Sequence, residues 1–128
     1  IEMEFKCQKG EIKDIMENKA KFSQSRKDKQ PLKYRSAGSI FKNPSLDIAA
    51  GYLIDKAGLK GVRKGDAEIS KKHANFIINL GKASSDDVIY LIKLIKEKIT
   101  QKFNINLELE IKLLGFKEKL LKEISNYA

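Results

Sequence analysis

The chain has 128 residues, 41% of them hydrophobic and 34% charged, which leaves room for one core and argues against disorder along most of its length. No apolar run approaches the roughly 20 residues that a membrane-spanning helix needs, and a single cysteine, Cys7, excludes an internal disulfide and a thiol-rich metal site. Twenty-six Lys and Arg against 17 Asp and Glu leave a net charge of +9, a surface that attracts phosphates in nucleic acid, anionic lipid or a small substrate.

Ile1 to Lys6 alternates apolar and charged residues, the period-2 pattern of a half-buried strand. The sequence opens on Ile and not Met, and a strand without a partner at the very start reads as part of a longer protein. Ile12, Ile15, Met16 and Phe22 approximate helical spacing and predict a helix from about residue 11 to the Ser23–Ser25 region, with Pro31 beyond its end. The densest positive charge, Arg26-Lys27-Asp28-Lys29 followed by Lys33 and Arg35, falls at that helix end. Residues 30–47 are rich in turn and cap formers, with Ile40-Phe41 set among them. Asp47 is the expected N-cap of a helix carrying Ile48, Ala49, Leu53 and Ile54 and ending at Gly58. After a charged, glycine-containing stretch from Gly61 to Ile69, Asn75-Phe76-Ile77-Ile78-Asn79 reads as a short buried strand.

The strongest pattern comes next. Ser84 or Ser85 can cap a helix whose first turn holds Asp86 and Asp87, favourable at the positive end of the helix dipole. Val88, Leu91, Ile92, Ile95, Ile99 and Phe103 then recur at spacings of three and four, one core-facing stripe closed by Asn104. Leu107, Leu109, Ile111 and Leu113 alternate with Glu108, Glu110 and Lys112, which predicts a strand with one buried face. Gly115 ends it, and Phe116 to Tyr127 forms a last amphipathic helix through Leu120, Leu121 and Ile124. Helices and strands mix without strict alternation, so the expected class is α+β: a single domain with helices covering a mostly antiparallel sheet.

Few residues stand out chemically by themselves. His73 is the only histidine, so a multi-histidine metal site is impossible, and a lone His at a strand entry reads as structural or solvated. Glu110 on its polar face reads as an exposed charge, and Ser39 after Ala37-Gly38 as a turn serine. Gly38 would let a ligand approach the backbone. No P-loop or dinucleotide fingerprint is present, so the chain offers no recognisable cradle for a nucleotide or flavin.

Together, however, the motifs carry a resemblance. Ser36-Ala37-Gly38-Ser39-Ile40-Phe41-Lys42-Asn43-Pro44 resembles the signature of the UDP-N-acetylenolpyruvoylglucosamine reductases (MurB) of bacterial cell-wall synthesis. In the family's order come Ala50-Gly51-Tyr52-Leu53-Ile54-Asp55, Ala57-Gly58-Leu59-Lys60-Gly61, Ser70-Lys71-Lys72-His73-Ala74-Asn75-Phe76-Ile77-Ile78-Asn79 and Leu107-Glu108-Leu109-Glu110-Ile111. Arg26 and Gln30-Pro31 resemble the lead-in of the family's shorter subtype. The resemblance covers residues 1–115 and only the family's carboxy-terminal, substrate-binding domain; residues 116–128 are expected to be a helical extension.

The resemblance implies a cytoplasmic, FAD- and NADPH-dependent oxidoreductase of peptidoglycan synthesis that converts UDP-N-acetylglucosamine enolpyruvate to UDP-N-acetylmuramate. By the same resemblance Ser39 donates the proton and Glu110 assists at the same intermediate, while Asn43, Lys60 and His73 contact the UDP-sugar. FAD and a further catalytic arginine belong to an amino-terminal domain outside this sequence, so the chain alone is expected to bind no cofactor and to be inactive. No metal, nucleic acid or membrane partner is implied. Three positions depart from the family's pattern. Arg35 and Leu109 stand where prolines are common, and Asp66 where a second glycine after Gly65 is usual, which questions any φ > 0 conformation there. The competing readings are a small basic nucleic-acid-binding module, drawn from the +9 charge, and a non-catalytic interaction domain.

Overall fold

A helix of 18 residues, α1 (Ile12–Lys29), opens the regular structure, in a computed structural model that describes residues 2–125. Its start carries Asp14 and its last turn Arg26, Lys27 and Lys29, each sign at the end of the dipole that favours it. Gln24 to Asp28 (2.8 Å) and Arg26 to Gln30 (3.3 Å) add side-chain bonds four residues apart. The helix runs past the expected Ser23–Ser25 region and stops before Pro31. The strand expected over Ile1–Lys6 does not form in its described part: Glu2 to Gly10 have no regular structure, and Ile1 lies outside the described residues. Alternation alone cannot make a strand, because its N–H and C=O groups need a neighbouring strand.

The chain divides into two compact units, residues 1–30 and 31–128, and α1 belongs to the first. The second contains a four-stranded antiparallel sheet made of β1 (Arg35–Ser39), β2 (Arg63–Lys64), β3 (Ala67–Ile69) and β4 (Phe76–Asn79), in the spatial order β1-β4-β3-β2. Helix α2 (Ala50–Lys56) connects β1 to β2, α3 (Ser85–Phe103) follows β4, and α4 (Glu118–Ser125) ends the described chain. The observed architecture is α+β, as the mixed pattern predicted.

α3 organises the core. Ser84 accepts from the Asp87 amide while Asp87 accepts from the Ser84 amide, a reciprocal capping box, and Asn104 closes the other end at φ 55. Ile89, Leu91, Ile92, Ile95 and Ile99 are buried with Ala67, Ile69 and Ile77 of the sheet and with Leu53 and Ile54 of α2. Burial of each Ile or Leu contributes roughly 1.5–3 kcal/mol, against about 1 kcal/mol for a cap, so the stripe outweighs the cap several times over. Ile124 of α4 joins the same cluster, and Lys93 pairs with Glu123 at 2.7 Å. Among the described residues no helix is long and apolar enough to cross a membrane.

Four expectations are corrected. The turn-rich stretch before Asn43 contains β1, because Ser36 and Arg35 find backbone partners on β4 that small, polar residues do not advertise. The charged stretch from Gly61 holds the β2–β3 hairpin, turned at Gly65 with φ 52. Residues 107–113 keep the expected alternation of burial but form a single bridge, Phe41 with Leu109, and not a strand. The last helix starts at Glu118 rather than Phe116, and Tyr127 lies outside the described residues.

Candidate functional site

The site is built where β1 ends. β1 pairs with β4 as Arg35 with Asn79 and Ser36 with Ile78, then as Ser39 with Phe76, so two residues, Ala37 and Gly38, oppose one on β4. Such a bulge bends the strand and re-aims the residues beyond it. Gly38 sits at φ 83 with open space where a Cβ would stand, so its backbone conformation and not crowding demands glycine. The half-buried Ser39 is the residue delivered by that bend.

Buried Asn75 then fixes the next two residues. Its backbone carbonyl accepts from Ile40 N at 2.9 Å, its Oδ1 accepts from Phe41 N at 2.9 Å, and its Nδ2 donates to Phe41 O at 2.8 Å. The side-chain amide thus replaces one rung of a β-ladder. Downstream, Asn43 accepts from Ala50 N at 3.0 Å and caps α2. Asp47 was expected in that role and does not fill it; the N-cap residue is Ala49, whose side chain cannot accept. The Asn43 side-chain NH2 remains a donor for a ligand.

α2 brings the second wall. Gly51 lies against His73: a Cβ there would stand 3.3 Å from the ring carbon Cε1. Lys60, just past α2, is held by Asp55 at 2.7 Å. His73 rides on the β3–β4 loop, where buried Ser70 accepts from the amides of Lys72 (3.2 Å) and His73 (3.3 Å). The ring packs edge-on against Phe76 with centroids 4.8 Å apart. Its Nδ1 accepts from Asn75 N at 3.3 Å, which leaves the proton of the neutral ring on Nε2. Burial pushes the imidazole below its ordinary pKa; a backbone hydrogen bond raises it and the Lys60 charge lowers it again.

Ser39, Asn43, Lys60 and His73 line one cavity of about 370 Å³, together with Gly51, Tyr52, Asp55, Lys72 and Asn75. Four of the five residues expected from the sequence therefore converge. Glu110, exposed, is not among the lining residues, yet its amide donates to Ile40 O at 2.8 Å, which sets its backbone beside the residue after Ser39. The cavity offers a hydroxyl, an amide NH2, an imidazole N–H and an ammonium group, donors that suit an anionic, oxygen-rich ligand. Among the described residues no three His, Cys, Asp or Glu side chains gather as a metal site requires.

Asn75, Ser70 and Gly51 support the site; they fall inside the family-like motifs but are not among the site residues expected from the sequence. A signal existed for two of them: Ser70 lies three residues before His73, a capping spacing, and Asn75 is the polar residue opening an apolar run. Two of the three departures from the family's pattern are also explained. Asp66 does not adopt positive φ, and its carboxylate accepts from Lys82 N at 2.9 Å. Leu109 sits between the two bonds of its bridge, which use Lys42 N, Glu108 O, Glu110 N and Ile40 O; its own N–H takes no part, so leucine and proline are both accommodated.

Residues 30–114 match the family described as UDP-N-acetylenolpyruvoylglucosamine reductase, C-terminal domain. The chain is 49% identical over 114 residues to the UDP-N-acetylenolpyruvoylglucosamine reductase of Chloroherpeton thalassium, an alignment covering 85% of this chain and 37% of that protein. With the same-named protein of Carboxydothermus hydrogenoformans it is 47% identical over 115 residues, covering 90% and 38%. The crystal structure of UDP-N-acetylenolpyruvylglucosamine reductase (MurB) from Thermus caldophilus superposes with a TM-score of 0.64 at 43% identity, covering 78% of this chain and 34% of that one. The chain thus spans a little over a third of the length of these curated relatives.

Proposed function

The chain belongs to the family of UDP-N-acetylenolpyruvoylglucosamine reductase C-terminal domains, and from that membership we propose that it forms the substrate-binding part of a cytoplasmic reductase of peptidoglycan synthesis. The substrate is UDP-N-acetylglucosamine enolpyruvate and the product UDP-N-acetylmuramate. Reduction of the enolpyruvyl double bond adds a hydride to one carbon and a proton to its neighbour. The proton comes from the Ser39 hydroxyl. A serine is a poor acid in water, so the charge developing on the enol and carboxylate must draw the proton out. Glu110 hydrogen-bonds at the same intermediate, where a carboxyl group can orient the proton donor or stabilise the enol. Lys60 faces the diphosphate as a point charge, and Asn43 and His73 donate to the substrate.

The hydride source is outside this chain. It is FAD, reduced by NADPH and held with a catalytic arginine by an amino-terminal domain.

The observation that carries this function is the convergence of Ser39, Asn43, Lys60 and His73, from three separate stretches of sequence, on one cavity. Support for Glu110 is narrower, a single backbone bond to Ile40. Calorimetric titration of the full-length protein with UDP-N-acetylglucosamine enolpyruvate tests the reading. Lys60→Ala is expected to weaken binding about 10- to 100-fold, the worth of a charge-assisted hydrogen bond. Unchanged affinity would place the diphosphate elsewhere.

A further inference from the structure

Residues 105–110 alternate in burial, carry a single bridge at Leu109 and have main-chain partners on one edge only. On that edge Glu108 O accepts from Lys42 N at 2.9 Å and Glu110 N donates to Ile40 O at 2.8 Å. In an extended chain the alternate residues, 105 and 107, bond toward the opposite edge. There α3 supplies side chains where a strand would supply amides. The Lys96 ammonium donates to Leu107 O at 2.7 Å and the Thr100 hydroxyl to Ile105 O at 3.3 Å. The donors are four residues apart, one above the other on one helix face, and the acceptors are two apart, on one side of the extended chain. The spacings match.

Lys96 is unusual for its place. It falls within the apolar stripe of α3, between Ile92 and Ile99, and is only 2% exposed. Burial lowers its pKa, and nearby Glu108 opposes that. A lysine at a core-facing position is costly unless its charge is used; here its bond serves a carbonyl of Leu107, itself fully buried.

We infer that Lys96 and Thr100 are positioning residues, which clip the 105–107 edge of the segment to α3 and so hold Glu110 beside the Ser39–Phe41 segment. This rests on the proposed role of Glu110. The clip carries no chemistry. It replaces a missing neighbour strand, and Glu110 stands three residues beyond its second bond.

The test uses full-length protein carrying Lys96→Met, Thr100→Val or Thr100→Ser, with Glu110→Gln as reference. Amide hydrogen exchange reads the clip directly. Lys42 and Glu110 amides should exchange at least about tenfold faster in Lys96→Met and Thr100→Val, while those of β3, β4 and α3 keep their protection. Thr100→Ser, which retains the hydroxyl, should behave as the parent. Turnover per folded molecule should fall about tenfold in kcat with KM within twofold in the first two variants, and NADPH-dependent flavin reduction should not change. Thr100→Val keeps the inference testable if Lys96→Met fails to fold. Unaltered exchange at Lys42 and Glu110 would overturn it. So would faster exchange with full kcat, if Glu110→Gln is itself impaired. If Glu110→Gln also turns over normally, it is the catalytic reading of Glu110 that fails, and the exchange result stands by itself.

Discussion

His73 is held as a neutral donor by its surroundings, and that has a consequence for stability. Burial of the ring is the main influence on its pKa and lowers it; a backbone bond raises it, and the charge of Lys60 lowers it. The folded value therefore lies below the ordinary 6.5. A depressed pKa means that the folded state disfavours the proton, so the stabilising contribution is complete above 6.5 and is lost as pH falls through the lower, folded value. The urea midpoint is expected to drop between about pH 7 and pH 5, and to drop less in His73→Gln. An identical pH dependence in the two proteins would contradict the account. Asp87 is also shifted, downward from 3.8 by its bonds with Ser84, and titrates below this window. The other lining residues act through geometry: Asn75 spends both halves of its amide on Phe41, and Asn43 spends its oxygen on α2. The Asn75 bonds are not readable from sequence, since Asn75 and Phe41 are 34 residues apart.

Between elements, the β2–β3 turn packs closely against the start of α3. A Cβ on Gly65 would stand 2.6 Å from Asp87 Oδ2, and its φ of 52 strains any other residue. Gly65→Ala should cost about 1–3 kcal/mol, combining backbone strain with a disturbed capping box. Gly58→Ala is the control: φ is 76, but nothing lies within 4 Å of the added carbon. Equal losses in urea midpoint would show that contact with the cap is irrelevant. The elements themselves were legible to different degrees. α3 was plain because its apolar period, acidic first turn and serine cap agree, and β4 because its apolar run is flanked by asparagines. β1 was hidden because Ser-Ala-Gly-Ser has the composition of a turn and pairs only through the backbone. Around Leu109 the alternation was real, but alternation reports which side chains are buried, not whether a neighbouring strand exists; there α3 side chains take that neighbour's place.

At the scale of the whole molecule, the chain spans a little over a third of the length of its relatives and carries the cavity on which the proposed function rests. The positive charge that first pointed to phosphates is largely dispersed, and Lys60 is the cation among those predicted that the fold brings into the cavity. The identities of Ser39, Asn43, Lys60 and His73 as site residues rested on the family resemblance of several motifs, whereas their convergence required the fold: a bulge at Gly38, a cap at Asn43 and a loop closed by Ser70. The most direct test monitors the two half-reactions of the full-length protein separately by flavin absorbance, with Ser39→Ala against the parent. If Ser39 supplies the proton, reduction of the flavin by NADPH proceeds at the parent rate, while its reoxidation by the enolpyruvyl substrate slows by a factor of at least about 100. Reoxidation at the parent rate would remove Ser39 from the chemistry.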